Sequence, residues 1–88
     1  MIRYLKIKPE YFEAVQSGIK TFECRLNDKS YKIGDILVLR EYSNDRYTGR
    51  YTIRRVSYVL TDCMKGVCSG YVIMSLGLCL DSILELEL

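Results

Sequence analysis

The stretch KPEYFEAVQSGIKTFECRL, Lys8–Leu26, changes its hydrophobic period halfway along, and that change sets the architecture. In the first half Phe12 and Val15 stand three apart, with Tyr11 and Ala14 beside them. This spacing gives a helix one apolar face that can pack on a sheet. Pro9 suits the first helical position, where its missing N–H would have no partner anyway, and Glu10 and Glu13 favour the positive end of the dipole. Gly18 is a natural stop, because glycine enters the left-handed conformation without a Cβ clash. The predicted helix is short, about two and a half turns at 3.6 residues each. From Ile19 to Leu26 the period falls to two: Phe22, Cys24 and Leu26 point one way, and Thr21, Glu23 and Arg25 the other.

On the N-terminal side, alternation from Ile2 to Lys8 predicts a first strand. On the C-terminal side a polar turn, Asn27-Asp28-Lys29-Ser30, and a Gly34-Asp35 turn lead into a strand over Asp35 to Tyr42. Its run Ile36-Leu37-Val38-Leu39 is apolar on both faces and predicts a central, covered strand. Ser43-Asn44-Asp45 and Thr48-Gly49 punctuate a hairpin connection. A long strand from Arg50 to Asp62 follows. Its apolar phase slips, with Ile53 one way and Val56, Tyr58 and Leu60 the other, which predicts a bulge near Arg54-Arg55. Cys63 to Gly70 reads as a loop and Tyr71 to Leu76 as an apolar strand; the tail, Gly77 to Leu88, fits a last strand or a short helix equally well. The order β-α-β-β-β-β implies an α+β fold: a single domain over residues 1–88, built on a small, partly closed barrel with one early helix packed against it.

Composition agrees with a small folded domain. The chain has 88 residues, of which 49% are hydrophobic, with eight tyrosines and two phenylalanines to supply a core. Its formal charge is only +2, but all thirteen Lys and Arg lie at or before Lys65 against eight acids, a balance of +5. The remainder holds only Asp81, Glu85 and Glu87. A basic body with an acidic apolar tail is compatible with a polyanionic partner, although an ordinary solvated surface looks the same by charge alone. No secretory apolar segment or membrane-length apolar run is visible, so a cytoplasmic protein with no membrane partner is expected.

Histidine is absent, which removes Ser-His-Asp, Cys-His and His-metal chemistry. The four cysteines, Cys24, Cys63, Cys68 and Cys79, form no CxxC pair, so no metal site and no cofactor are expected. Cys24 and Cys79 sit among apolar residues and read as buried small hydrophobes.

The chemistry concentrates in Gly18-Ile19-Lys20-Thr21-Phe22-Glu23-Cys24-Arg25, a GxKxxExR pattern at the helix-to-strand junction. Gly18 permits a tight turn and close approach of a ligand backbone. Lys20 is a mobile point charge suited to phosphate or a polarised carbonyl. Glu23 and Arg25 lie two apart on one strand face, where an ion pair or a shared polar ligand is geometrically easy. Glu23 can accept from base amino groups, and Arg25 can fork onto phosphate or stack on a base. The same residues also make sense as a Lys-Glu-Arg network that merely fixes the turn.

This pattern resembles the signature of the ASCH (activating signal cointegrator homology) domain, within the PUA-like superfamily. The resemblance extends through Tyr4–Phe12, Tyr31–Leu37 and Gly70-Tyr71-Val72, covering roughly residues 3–76 and leaving the tail 77–88 outside. It implies a PUA-like pseudo-barrel with a cleft beside the helix and an RNA-binding function, with RNA, a nucleotide or a modified nucleoside as ligand. Gly18, Lys20, Thr21, Glu23 and Arg25 would then line the cleft, with Lys6, Lys8, Arg54 and Arg55 as a surrounding phosphate-contacting surface. Some ASCH-like proteins are instead amidohydrolases acting on acetylated cytidine nucleosides, and others nucleases. An enzyme built here would draw on Lys20, Thr21 and Glu23. The chain departs from the hydrolases at the decisive place, because they carry a threonine nucleophile where Glu23 stands. They also use a carboxylate from a later strand, and Tyr71 to Leu76 offers none. The tail can close the barrel edge or, left uncovered, favour a homodimer.

Overall fold

The protein is described by a computed structural model over residues 1–61 and 70–79. The elements follow the expected order: β1 (Ile2–Ile7), α1 (Pro9–Gln16), β2 (Phe22–Leu26), β3 (Ile36–Ser43), β4 (Arg46–Thr61) and β5 (Tyr71–Cys79). The strands make one sheet in the order β1-β3-β4-β5-β2, with β1 and β3 parallel and the other pairs antiparallel. This mixed sheet curls into a half-barrel, and α1 packs inside the curl against β3 and β4. Its core joins Phe12 and Val15 of α1 to Leu5, Ile7, Leu37, Leu39, Val56, Val72 and Met74 from four strands, with Tyr31 closing one side. No helix among the described residues is long and apolar enough to cross a membrane.

The helix begins at Pro9 and ends at Gln16, with Ser17 as its C-cap, after which Gly18 takes φ +83°. Two hydrogen bonds close the turn it makes: the Gly18 N–H donates to the Val15 carbonyl and the Lys20 N–H to the Ala14 carbonyl. Arg54 reinforces this end from within the sheet, donating to the Val15 carbonyl at 3.2 Å. A guanidinium here also meets the negative end of the helix dipole.

Three expectations about the strands need correction. The first concerns β2, which starts at Phe22 rather than Ile19 and turns its charged face inward. Glu23 is 3% exposed, whereas Phe22 and Leu26 are about half exposed and Cys24 is an exposed free thiol. Cys24 is therefore not a buried small hydrophobe; the buried carboxylate is retained because cations meet it, as described below.

The second concerns the β3–β4 connection, which is only two residues long. Asn44 and Asp45 both have positive φ, 53° and 62°, and Ser43 pairs with Arg46. This twist matches that of the flanking strands. Thr48-Gly49 instead lies inside β4, where the register moves between the Arg40–Tyr51 and Tyr42–Tyr47 pairs. Gly49, at φ +95°, takes the bend, and the Thr48 hydroxyl donates to the buried Glu41 carboxylate at 2.7 Å. Glu41 also receives Arg50, which bridges to Glu13 of the helix and lies over the Phe12 ring.

The third is the extent of the irregularity in β4, which is double rather than single. Its ladder with β3 runs unbroken from Arg55 to Tyr51, while the ladder with β5 shifts on both sides of Val56. Val56 and Val59 both meet the core although they are three apart, and Tyr58 is mostly exposed. An odd spacing on one face requires an extra residue between the two. One shift thus falls between Arg54 and Val56, where the sequence places it, and a second follows between Val56 and Tyr58. The expected loop of residues 63–70 and the tail fall largely outside the described residues; 77–79 continue β5.

The Gly34-Asp35 turn ties β3 to β4, since Gly34 N–H donates to the Val56 carbonyl and Val56 N–H to the Asp35 carbonyl. The Asp35 side chain is buried and accepts the Lys32 N–H at 3.0 Å and the Met1 ammonium at 3.2 Å, with Arg3 at 3.6 Å. Burial alone pushes its carboxyl up, but these donors and charges outweigh it and hold the group below the ordinary 3.8. A depressed carboxyl favours the folded state above its unfolded value and loses that contribution as pH falls through the folded one. Asp35→Asn should therefore lower the urea midpoint at pH 7 and flatten its decline below about pH 4. Parallel midpoint–pH profiles for the two proteins would rule this account out.

A cationic cleft at the open seam of the half-barrel

The two edge strands of the sheet, β1 and β2, face one another across the seam where a closed barrel would have its last ladder. Arg25 spans that seam, donating from Nη2 to the Lys6 carbonyl at 2.7 Å. The chain between the edges is α1 and its turn, so the seam, the helix start and the turn enclose one open cleft of about 470 Å³. It is lined by Lys6, Ile7 and Lys8 from the end of β1 and Tyr11 from α1. Lys20 from the turn and Phe22, Glu23, Cys24 and Arg25 from β2 complete the wall.

Glu23 organises the floor. Its Oε1 accepts from Lys20 Nζ at 2.6 Å and its Oε2 from Arg25 Nε at 2.7 Å. Lys20 also donates to the Phe22 carbonyl at 2.7 Å, which fixes the ammonium above the strand. The ammonium sits 4.8 Å from the Phe22 ring centre and 5.7 Å from that of Tyr11. One charge therefore stands beside two half-exposed aromatic rings. Three cations, Lys8, Lys20 and Arg25, against one carboxylate leave the cleft positive, while the carboxylate keeps two of them pointed in fixed directions.

Of the residues singled out in the sequence, Lys6, Lys8, Lys20, Glu23 and Arg25 come together here. Gly18 and Thr21 do not line the cleft. Gly18 shapes the turn that delivers Lys20, and no heavy atom stands within 4 Å of where its Cβ would be. Thr21 precedes β2, with its carbonyl taking the Leu76 N–H at 2.9 Å. Arg54 belongs to the interior rather than to any surrounding surface: it is 8% exposed and bonds Val15, Ile53 and Thr52. Arg55 is exposed but lies outside the cleft lining. Sequence reasoning missed Ile7, Tyr11, Phe22 and Cys24. Tyr11 carried a signal in its place three residues after Lys8, the helical spacing that puts both on one side. Phe22 carried none, because an apolar residue in an alternating strand is ordinarily assigned to the core.

Residues 2–76 match the family described as a domain of unknown function, DUF3850, and the chain belongs to that family. It is also similar to an uncharacterised 12.9 kDa protein from the GpA 3′ region of Escherichia phage P2, 36% identical over 58 residues. That alignment takes in 66% of this chain and 53% of the phage protein, so the chain spans about half the length of its relative.

The buried carboxylate yields a direct test. Glu23→Gln removes the charge that balances Lys20 and Arg25 and turns an amide N–H₂ toward one of them. Breaking such a pair from one side costs about 3 kcal/mol. Urea denaturation should show that loss, whereas Glu13→Gln at the exposed Arg50 pair should leave the midpoint nearly unchanged. Equal midpoints for Glu23→Gln and wild type would show that Glu23 does not hold the seam.

Proposed function

We propose that the protein is an ASCH-type domain of the PUA-like superfamily and that it binds RNA in the seam cleft. The observation that carries this reading is the convergence of Lys20, Glu23 and Arg25 with Lys8 and the Lys6 backbone in one open, positive cleft flanked by Tyr11 and Phe22. Phosphate oxygens match the lysines as point charges and Arg25 as a fork, while an unpaired base matches the exposed rings. Glu23 acts chiefly as a positioning residue, since each of its oxygens already accepts one bond from a cation. Its remaining lone pairs are the acceptors through which a base amino group would be read.

A hydrolase reading finds less to work with. Thr21 lies outside the cleft lining, and both Glu23 oxygens are engaged by Lys20 and Arg25. Neither residue is set up as an activated nucleophile with a base beside it.

Fluorescence anisotropy with short single-stranded and hairpin RNAs tests the binding reading. Lys20→Ala with Arg25→Ala should weaken saturable binding about tenfold or more. Those residues also hold Glu23, so Lys8→Ala, at an exposed position outside that network, is the companion variant. It should weaken binding similarly across sequences and reduce the salt slope by about 1. A folded wild type that binds no RNA at low salt, or that releases acetate from acetylcytidine in a Lys20-dependent way, would overturn the proposal.

A further inference from the structure

The face of β1, β3 and β4 turned away from the core carries a second set of aromatic and cationic side chains. Residues paired across a ladder share a face. The pairs Lys6–Arg40, Arg40–Tyr51 and Tyr42–Tyr47 therefore lie together, with Tyr4 beside them on β1. No paired position on this face carries a carboxylate; Glu41, the one acid within β3, is buried on the opposite side. Tyr4, Tyr47 and Tyr51 are 64%, 41% and 46% exposed, a large aromatic surface to leave in water.

Each ring at the hairpin end is matched with a cation. Lys6 Nζ sits 4.4 Å from the Tyr42 ring centre, and the Arg40 guanidinium sits 3.7 Å from that of Tyr47. The two rings meet edge to face at 5.0 Å. Lys6 is also the residue whose carbonyl takes Arg25 across the seam, and it lines the cleft. Its backbone therefore belongs to the cleft, and its side chain lies on the first ring of the outer face. The cleft and the outer face are continuous at this one residue.

We propose that this face extends the seam cleft into a track for single-stranded RNA, with one nucleotide held in the cleft and the following bases passing over Lys6 to stack on Tyr47 and its neighbours. The inference rests on the RNA-binding reading and adds the form of the ligand. Rings standing on a sheet can stack only on unpaired bases, so a duplex gains nothing from them. An acidic peptide would satisfy the cations but leave the rings without partners. Alternation of ring and positive charge matches the alternation of base and phosphate along a strand.

The test is a length series of oligo-uridylates and oligo-adenylates with wild type, Tyr47→Ala, Tyr47→Phe and Lys8→Ala, each checked for folding by circular dichroism. Affinity should rise from the mononucleotide to about six nucleotides and then level off. Tyr47→Ala should weaken the longer oligomers about tenfold and leave mononucleotide binding within about twofold, while Tyr47→Phe, which keeps the ring, should behave as wild type. If Lys8→Ala weakens binding and Tyr47→Ala does not, the track is overturned and the cleft reading stands. If the wild type binds no RNA of any length, both fall together. Equal losses in Tyr47→Ala and Tyr47→Phe, or displacement of RNA by polyglutamate of equal charge, would also overturn stacking on this face.

Discussion

A buried carboxylate at the edge of a sheet is the constraint on which the arrangement of this protein turns. Glu23 is nearly inaccessible, and removing an ionised carboxylate from water costs several kcal/mol unless other groups replace the lost hydration. Lys20 from one side and Arg25 from the other supply that replacement. Their demand for a fixed position sets the geometry of the turn after the helix. It also inverts β2, sending Phe22 and Cys24 to the surface so that Glu23 can face inward. Arg25 then carries the constraint across the seam to the Lys6 carbonyl, so one ionic group links both edges of the half-barrel.

The seam gives the cleft its character. A closed barrel would bury the edges of β1 and β2 in a backbone ladder, and the open one leaves them to be joined by a side chain. Polar edge groups, cations and rings therefore meet in one concave place without needing a cavity in the core. Elsewhere buried charge serves the frame alone. Arg54 bonds the last carbonyl of the helix face, Asp35 gathers the first residues of β1, and Glu41 with Thr48 and Arg50 fixes the kink in β4. These three sites look similar in sequence to the cleft residues. What separates them is exposure to a concave surface, a property of the fold.

Much of the architecture was legible in the chain. Pro9 and Gly18 bracket a helix whose Phe12 and Val15 are both fully buried, as a three-residue spacing requires. The element order, the interior place of β3 and a bulge in β4 also follow from period and turn chemistry. Within the site, the spacing of Lys20, Glu23 and Arg25 announced an ion network that the structure contains, because residues two apart on a strand share a face whatever the sheet around them.

Local periodicity determined which residues share a face; it did not determine which face turns inward. On β2 the apolar set would normally have the stronger claim to the interior, and the pairing of Glu23 with Lys20 and Arg25, whose guanidinium also reaches β1, goes with the reverse orientation. Arg54 and Arg55 are likewise indistinguishable as neighbours in sequence. A strand sends consecutive side chains to opposite faces, and the packing of α1 on one of those faces buries Arg54 and leaves Arg55 in solvent. The same holds for Lys6, which joins cleft and outer face because the sheet curls far enough for Arg25 to reach it over a separation of 19 residues. The sequence by itself determined the elements and their local pairings. Curvature of the sheet, a sum of small twists over five strands, decided which charges would meet.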